Sequence, residues 1–231
     1  MTFAATLDLL KKQSLPTLVL EELEHMIRDG RLMPGDALRE NALAEQLGVS
    51  RGPIREAFRS LAEKGLVRVE KNRGVFVRAI SPGEADAIFE VRLALEHLIV
   101  EKLAGSPSRV QQSPLSALLT ESEARAEQSD VAGCHALNLE FHESLARLTG
   151  NATLLETYQR LVNELSLFRH QAHATSSNTQ SLRQSAADHR ALYEALVAGD
   201  RGQAWLILHR HLEVSRQRLQ LLLGNETVRL T

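Results

Sequence analysis

Leu47-Gly48-Val49-Ser50-Arg51-Gly52-Pro53-Ile54-Arg55-Glu56-Ala57-Phe58 is the stretch whose order of residue types decides the fold of the N-terminal part of this chain. Ser50 stands where a helix cap belongs. Pro53 falls in the first turn, where a missing N–H costs little, so a helix starts at about Arg51. From there Ile54, Ala57, Phe58 and Leu61 recur at helical spacing and form one stripe to be buried. Arg51, Arg55 and Arg59, each four residues apart, lie roughly 110° round the same helix and make a cationic stripe.

Ala42, Leu43, Leu47 and Val49 supply the apolar contacts of a preceding short helix, with Gly48 as the turn between the two. This is a helix-turn-helix layout, in which the start of the second helix meets base edges while the first crosses the phosphate backbone. After Gly65, Leu66-Val67-Arg68-Val69-Glu70 alternates like a strand and Val75-Phe76-Val77-Arg78 answers it. The tip between them, Lys71-Asn72-Arg73-Gly74, places Arg73 against phosphates or in a minor groove, with Gly74 free to take a positive φ. Residues 41–77 hold seven Lys and Arg against four Asp and Glu. Charge alone is equally compatible with a solvated, salt-bridged helical surface; the ordered turn, cap, two stripes and wing argue for DNA.

Pro34-Gly35, Leu38-Arg39-Glu40-Asn41-Ala42-Leu43-Ala44, the 47–57 stretch, Leu61, Gly65-Leu66-Val67 and Asn72-Arg73-Gly74 together resemble the winged helix-turn-helix of the GntR family of bacterial transcription regulators. The resemblance implies operator contacts from Arg39, from Ser50, Arg51, Gly52 and Arg55 on the recognition helix, and from Asn72, Arg73 and Gly74 on the wing. Gly52 stands where many relatives have Thr, which removes one side-chain contact.

With 231 residues and 43% apolar content, the chain has room for two domains, read here as residues 1–80 and 81–231. Residues 1–80 carry 13 basic and 11 acidic groups, residues 81–231 carry 14 and 18, so a basic end is hidden by the overall charge of −2. Cys134, the single cysteine, excludes an internal disulfide framework. No apolar run approaches the ~18 residues of a membrane span and no export signal is evident, so the expected location is the cytoplasm. Aromatic residues make up 4%, too few for stacking on single-stranded bases.

Beyond Ser81-Pro82-Gly83 the pattern is helical. Ile88, Val91, Arg92, Leu95, Leu98, Ile99 and Leu103 fit a helix over about 83–104, stopped by Gly105-Ser106-Pro107. Further helices are expected at about 114–128, 131–149, 152–172, 178–198 and 200–224, which makes a mainly α chain: a winged domain followed by an antiparallel six-helix bundle. Eight of nine histidines fall here. Asn138 and His142 are four apart on one helical face, whereas His189 and His211 stand at matching depth, about 15 Å from the Gly199-Asp200 turn. Three histidines and an amide thus come within reach of one another and suit an ion such as zinc or nickel; scattered surface or core histidines are the alternative. His135, one heptad before His142, approaches the same site, and His97, His170, His173 and His209 read as structural or solvent-facing.

Glu90-Val91-Arg92, Leu95-Glu96, Asn138-Leu139-Glu140-Phe141-His142, Asp188-His189, Gly199-Asp200 and His211-Leu212 resemble the all-helical, FCD-type ligand-binding domain of the FadR subfamily in its shorter six-helix, metal-binding form. That resemblance implies a metal held by an Asp and three His, and a small carboxylate effector beside it. Asn138 stands at the expected Asp and offers only a neutral carbonyl oxygen, so His142, His189 and His211 either hold a divalent ion largely alone or bind an anion without one. By the same resemblance Arg92 lines the effector cavity; its alternative is a surface pair with Glu96 at i+4. The resulting expectation is a repressor acting as a homodimer on palindromic double-stranded operator DNA, with no membrane partner. A zinc hydrolase built on the His cluster leaves the first 80 residues unexplained, and a non-specific DNA-compacting protein leaves the histidines unexplained.

Overall fold

The structure, a computed structural model, describes residues 14–176 and 179–229, and among these the side chains outside 168–176, 219 and 221–229. His170 and His173 therefore lie outside the side chains described. The chain divides into two compact units: Met1–Ile80 with Asn163–Gln171, and Ser81–Val162 with Ala172–Thr231.

The first unit runs α1 (Leu15–Arg28), β1 (Ala37–Leu38), α2 (Glu40–Leu47), α3 (Arg51–Glu63), β2 (Val67–Glu70) and β3 (Gly74–Val77). Helix α1 begins where Ser14 accepts from the Thr17 N–H, and it buries Val19, Leu23, Met26 and Ile27, a 3.6-residue stripe that packs on α3. Ile54, Ala57, Phe58 and Leu61 of α3 are buried as the spacing predicts. Each such large apolar side chain contributes on the order of 1.5–3 kcal/mol. Gly48, at φ 65°, closes α2 in the left-handed conformation that a side chain resists, and so makes the sharp turn into α3. The three strands form an antiparallel sheet in the order β1-β3-β2, with Val75 opposite both Leu38 and Val69. Leu167 is buried in this unit's core.

Two local expectations need correction. Ser50 occupies the N-cap with extended backbone, but its hydroxyl makes no cap hydrogen bond. Ala42 is exposed and Ala44 buried, because Ala44 lies three residues before Leu47 and shares its face. Helix α1 and strand β1 lie outside the helix-turn-helix pattern and were not foreseen.

The second unit holds α4 (Pro82–Ala104), α5 (Pro107–Gln111), α6 (Leu115–Glu127), α7 (Val131–Leu148), α8 (Ala152–Ser176), α9 (Thr179–Val197) and α10 (Arg201–Arg229), α8 being shared with the first unit. The six long helices match the expected ones closely. The additional α5 forms because Pro107, expected only to end α4, sits in the first turn of a new helix. Ser81 starts α4 through a reciprocal capping box with Glu84, with Pro82 just inside. The core gathers Ile99, Leu103, Leu119, Phe141, Leu145, Tyr158, Leu192 and Leu208. On α4 the buried face carries Arg92 and Glu96 among Ile88, Phe89, Ile99 and Leu103. Val91 and Leu98, expected on that face, are instead 49% and 41% exposed.

Candidate DNA-reading surface and histidine cluster

Helix α3 turns its apolar stripe inward, and Arg51, Arg55 and Arg59 are consequently exposed. Arg55 Nε lies 2.8 Å from Glu40 Oε2 at the start of α2, and Arg59 pairs with Glu56 at 3.1 Å. Such solvent-exposed pairs are worth little and exchange readily for phosphate or base edges. Ser50, Gly52 and Arg39 are exposed beside them. At the wing tip Asn72 and Gly74 have φ of 62° and 110°, and both are exposed with Arg73. The Arg73 and Arg68 guanidinium groups stand 5.7 and 5.8 Å from the Phe76 ring centroid, and each pairs with Glu70, at 2.5 and 3.1 Å. Arg68, directly opposite Phe76 in the strand register, joins the cationic wing that sequence reading confined to its tip.

In the second unit His142 of α7, His189 of α9 and His211 of α10 converge. His211 Nε2 lies 3.4 Å from His142 Nε2 and 3.2 Å from His189 Nε2, and the three ligand nitrogens fall within 4.8 Å of one another. Nitrogens on a tetrahedral zinc ion with bonds of about 2.05 Å stand about 3.3 Å apart, which the two separations from His211 match. His142 and His189 are buried, and Phe141 stacks on His189 at 4.7 Å between centroids. Asn138, one turn before His142, is half-buried; His135 is not among the converging three. His97 and His209 are exposed and flank Trp205 at 4.5 and 5.4 Å.

The Arg92–Glu96 pair does not lie on the surface. Arg92 is 2% exposed, and its Nε and Nη2 donate to Glu96 Oε1 at 3.3 and 3.1 Å, so the i+4 pair exists but in the core. The guanidinium also stands 5.7 Å from the Tyr158 ring centroid, and the Tyr158 hydroxyl donates to the same Oε1 at 2.7 Å. Buried charge of this kind is tolerated only when paired and hydrogen-bonded. His142 Nδ1 lies 3.2 Å from that oxygen too. Burial by itself would raise the Glu96 carboxyl, but His142, Arg92 and Tyr158 outweigh it and hold the group down at about 2. Burial pushes the His142 imidazole down to about 4 against the pull of Glu96, and drives His189 well below the ordinary histidine range. At neutral pH the carboxylate is ionised and His142 neutral, with Arg92 and the Tyr158 hydroxyl bonded to the charge. Asp188 Oδ2 stands 3.8 Å from His211 Nδ1, while Oδ1 takes Arg210 at 2.8 Å and Gln184 at 3.0 Å. Glu96, Tyr158 and Asp188 were missed as site residues. Glu96 had a signal, four residues after Arg92; Tyr158 had none.

Comparison with known proteins locates both units. Residues 87–214 match the FCD domain, and residues 17–77 match the bacterial regulatory proteins of the gntR family. The chain belongs to the gntR family. It is a transcription regulator with a gntR-type DNA-binding unit and an FCD domain, and not an enzyme. Among similar gntR-family proteins, a probable D-xylose utilization operon transcriptional repressor of Paenarthrobacter nicotinovorans is 31% identical over 208 residues, 90% of each chain. An uncharacterized HTH-type transcriptional regulator of Bacillus subtilis, YdhC, is 32% identical over 148 residues, 62% of this chain and 64% of that one. The chain thus spans just under two thirds of that relative. Of solved structures, E. coli McbR/YncC superposes with a TM-score of 0.76 at 25% identity, over 90% of this chain and 97% of that one. A putative GntR regulator from Rhodococcus sp. RHA1 gives 0.74 at 29% identity, over 90% and 98%. Among the described residues, no helix is long and apolar enough to cross a membrane.

Proposed function

We propose that this gntR-family protein is a FadR-type repressor that binds a palindromic operator as a homodimer in the cytoplasm and responds to a small carboxylate effector. The observation that carries the effector half is the convergence of one ring nitrogen from each of His142, His189 and His211 within 4.8 Å in the second unit. Ring nitrogens this close need either a shared proton or a cation between them, and a divalent ion would satisfy all three lone pairs at once. His142, His189 and His211 would hold a divalent ion, zinc or nickel, with Asn138 able to add a carbonyl oxygen from one turn away. When bound, such an ion supplies positive charge and open positions to which a carboxylate can bind. Arg92, committed to Glu96, contributes by framing His142 rather than by clamping the effector.

On the DNA side, the exposed Arg39, Ser50, Arg51, Gly52 and Arg55, with Asn72, Arg73 and Gly74 of the wing, form the reading surface. Reading a palindrome requires a twofold dimer. Val91 and Leu98 on α4 and Leu206 and Val214 on the adjoining α10 remain exposed in a single chain, apolar surface for a second copy to cover.

The test combines elemental analysis of untagged protein with footprinting on the DNA flanking its own gene. The reading expects about one zinc or nickel per chain, lost in His189→Ala, one palindromic footprint, and release of that footprint by a carboxylate only in metal-loaded protein. No metal after reconstitution would overturn the metal site, and protection of DNA without sequence preference would overturn the operator.

A further inference from the structure

We propose that Glu96 is a positioning residue of the histidine cluster, fixing His142 as the Nδ1–H tautomer so that the Nε2 lone pair points at His189 and His211. The proposal rests on the metal reading above for its purpose but not for its geometry. His142 has two ring nitrogens, and in the neutral ring one carries the proton while the other offers the lone pair. Nε2 faces the other two histidines at 3.4 Å from His211 Nε2; Nδ1 faces Glu96 Oε1 at 3.2 Å. A carboxylate can only accept, so a proton on Nδ1 is attracted and a lone pair there repelled.

Glu96 is well suited to hold its position. It is 0% exposed on α4, gripped by Arg92 one turn earlier and by the Tyr158 hydroxyl from α8. Arg92 Nε and Nη2 and the Tyr158 hydroxyl donate to the single oxygen Oε1, with His142 Nδ1 also 3.2 Å away, whereas Oε2 is buried without a hydrogen-bond partner among the described residues. The Nδ1 contact is close yet not aligned as a full hydrogen bond. A small turn of the carboxylate would bring the idle Oε2 toward Nδ1 and divide the load. Asp188 stands behind His211 in the same sense, more loosely, at 3.8 Å from Nδ1. Carboxylates behind ligating imidazoles orient the ring and raise its basicity, and their loss commonly costs 10–100-fold in metal affinity.

Two measurements test this. In metal-free wild-type protein at pH 7.5, long-range nitrogen–proton correlation of the imidazoles should show His142 protonated on Nδ1 with Nε2 bare. An Nε2–H tautomer would overturn the proposal, whatever the fate of the metal reading. In Glu96→Gln, affinity for Zn²⁺ measured against a competing chelator should fall 10–100-fold with an unchanged circular dichroism spectrum. Equal affinity in the variant and the wild type would count against Glu96 alone. Failure of wild-type protein to take up Zn²⁺ would count against the metal site and leave the tautomer result standing. Should Glu96→Gln not fold, the wild-type tautomer decides.

Discussion

Replacing Tyr158 by Phe deletes one hydroxyl from the centre of the FCD domain and leaves nearly everything else in place. The ring is 1% exposed and stays packed, including its face toward Arg92. What disappears is the 2.7 Å hydrogen bond to Glu96 Oε1. Hydrogen bonds to charged groups contribute about 1.5–3 kcal/mol, and the donor lost here serves a carboxylate that is 0% exposed. A loss of about 2 kcal/mol is therefore expected. For a urea m-value of about 2 kcal/mol per molar, the midpoint should move down by about 1 M with m unchanged. Far-UV circular dichroism of the full chain follows the helices that dominate the signal. The other tyrosine, Tyr193, is half-buried, and Tyr193→Phe serves as the control with an expected shift of about 0.2 M or less. Equal shifts in the two variants, or none in Tyr158→Phe, would refute the view that the Glu96 charge depends on that hydroxyl.

Three further outcomes are expected. Arg51→Ala and Arg55→Ala should each remove operator binding in a gel-shift assay while thermal unfolding stays within about a degree of wild type, since both side chains are exposed; joint loss of fold and binding would refute separate roles. Asn138→Asp should tighten Zn²⁺ binding by adding a carboxylate, and an unchanged dissociation constant by calorimetry would remove Asn138 from the ligand set. His142 takes a proton near pH 6.5 in the unfolded chain but only near about 4 when folded, so its contribution is complete above 6.5 and lost as pH falls, by about 3 kcal/mol at about 1.36 kcal/mol per unit. Glu96, lowered to about 2, continues the loss below 4.5. Urea midpoints at pH 7.5, 5.5 and 4.5 should fall in that order, and a flat profile would refute a neutral, buried His142.

The helix-turn-helix was legible apart from the Ser50 cap bond and the place of Ala42, because a buried stripe, a cationic stripe and a positive-φ turn each depend on local spacing. Strand β1 has only two residues and no period to detect, whereas helix α1 carries a cap at Ser14 and a 3.6-residue stripe that local spacing does show. The histidine cluster was legible because two helices joined by a tight turn place residues of equal depth side by side, which brought His189 against His211. Its supports were not. Arg92 and Glu96 look like an ordinary solvent-facing pair at i+4, and only the packing of α4 against its neighbours puts them in the core, with Val91 and Leu98 turned outward instead. Tyr158 reaches Glu96 across 62 positions of sequence, a distance over which no pattern on either helix gives warning.

Strand β3 is hydrogen-bonded along both edges, and the strand on one of those edges, β1, passes through Arg39 directly into α2. The wing therefore does not swing like a free hairpin: the sheet ties it to α2, and the tight turn at Gly48 carries α2 into the reading helix α3. On the proposed operator reading, a protein built this way would act on DNA as a fixed gauge. A duplex whose grooves are too wide or too narrow for that span would have to bend to meet it, so stiff base steps would be disfavoured at positions no side chain touches.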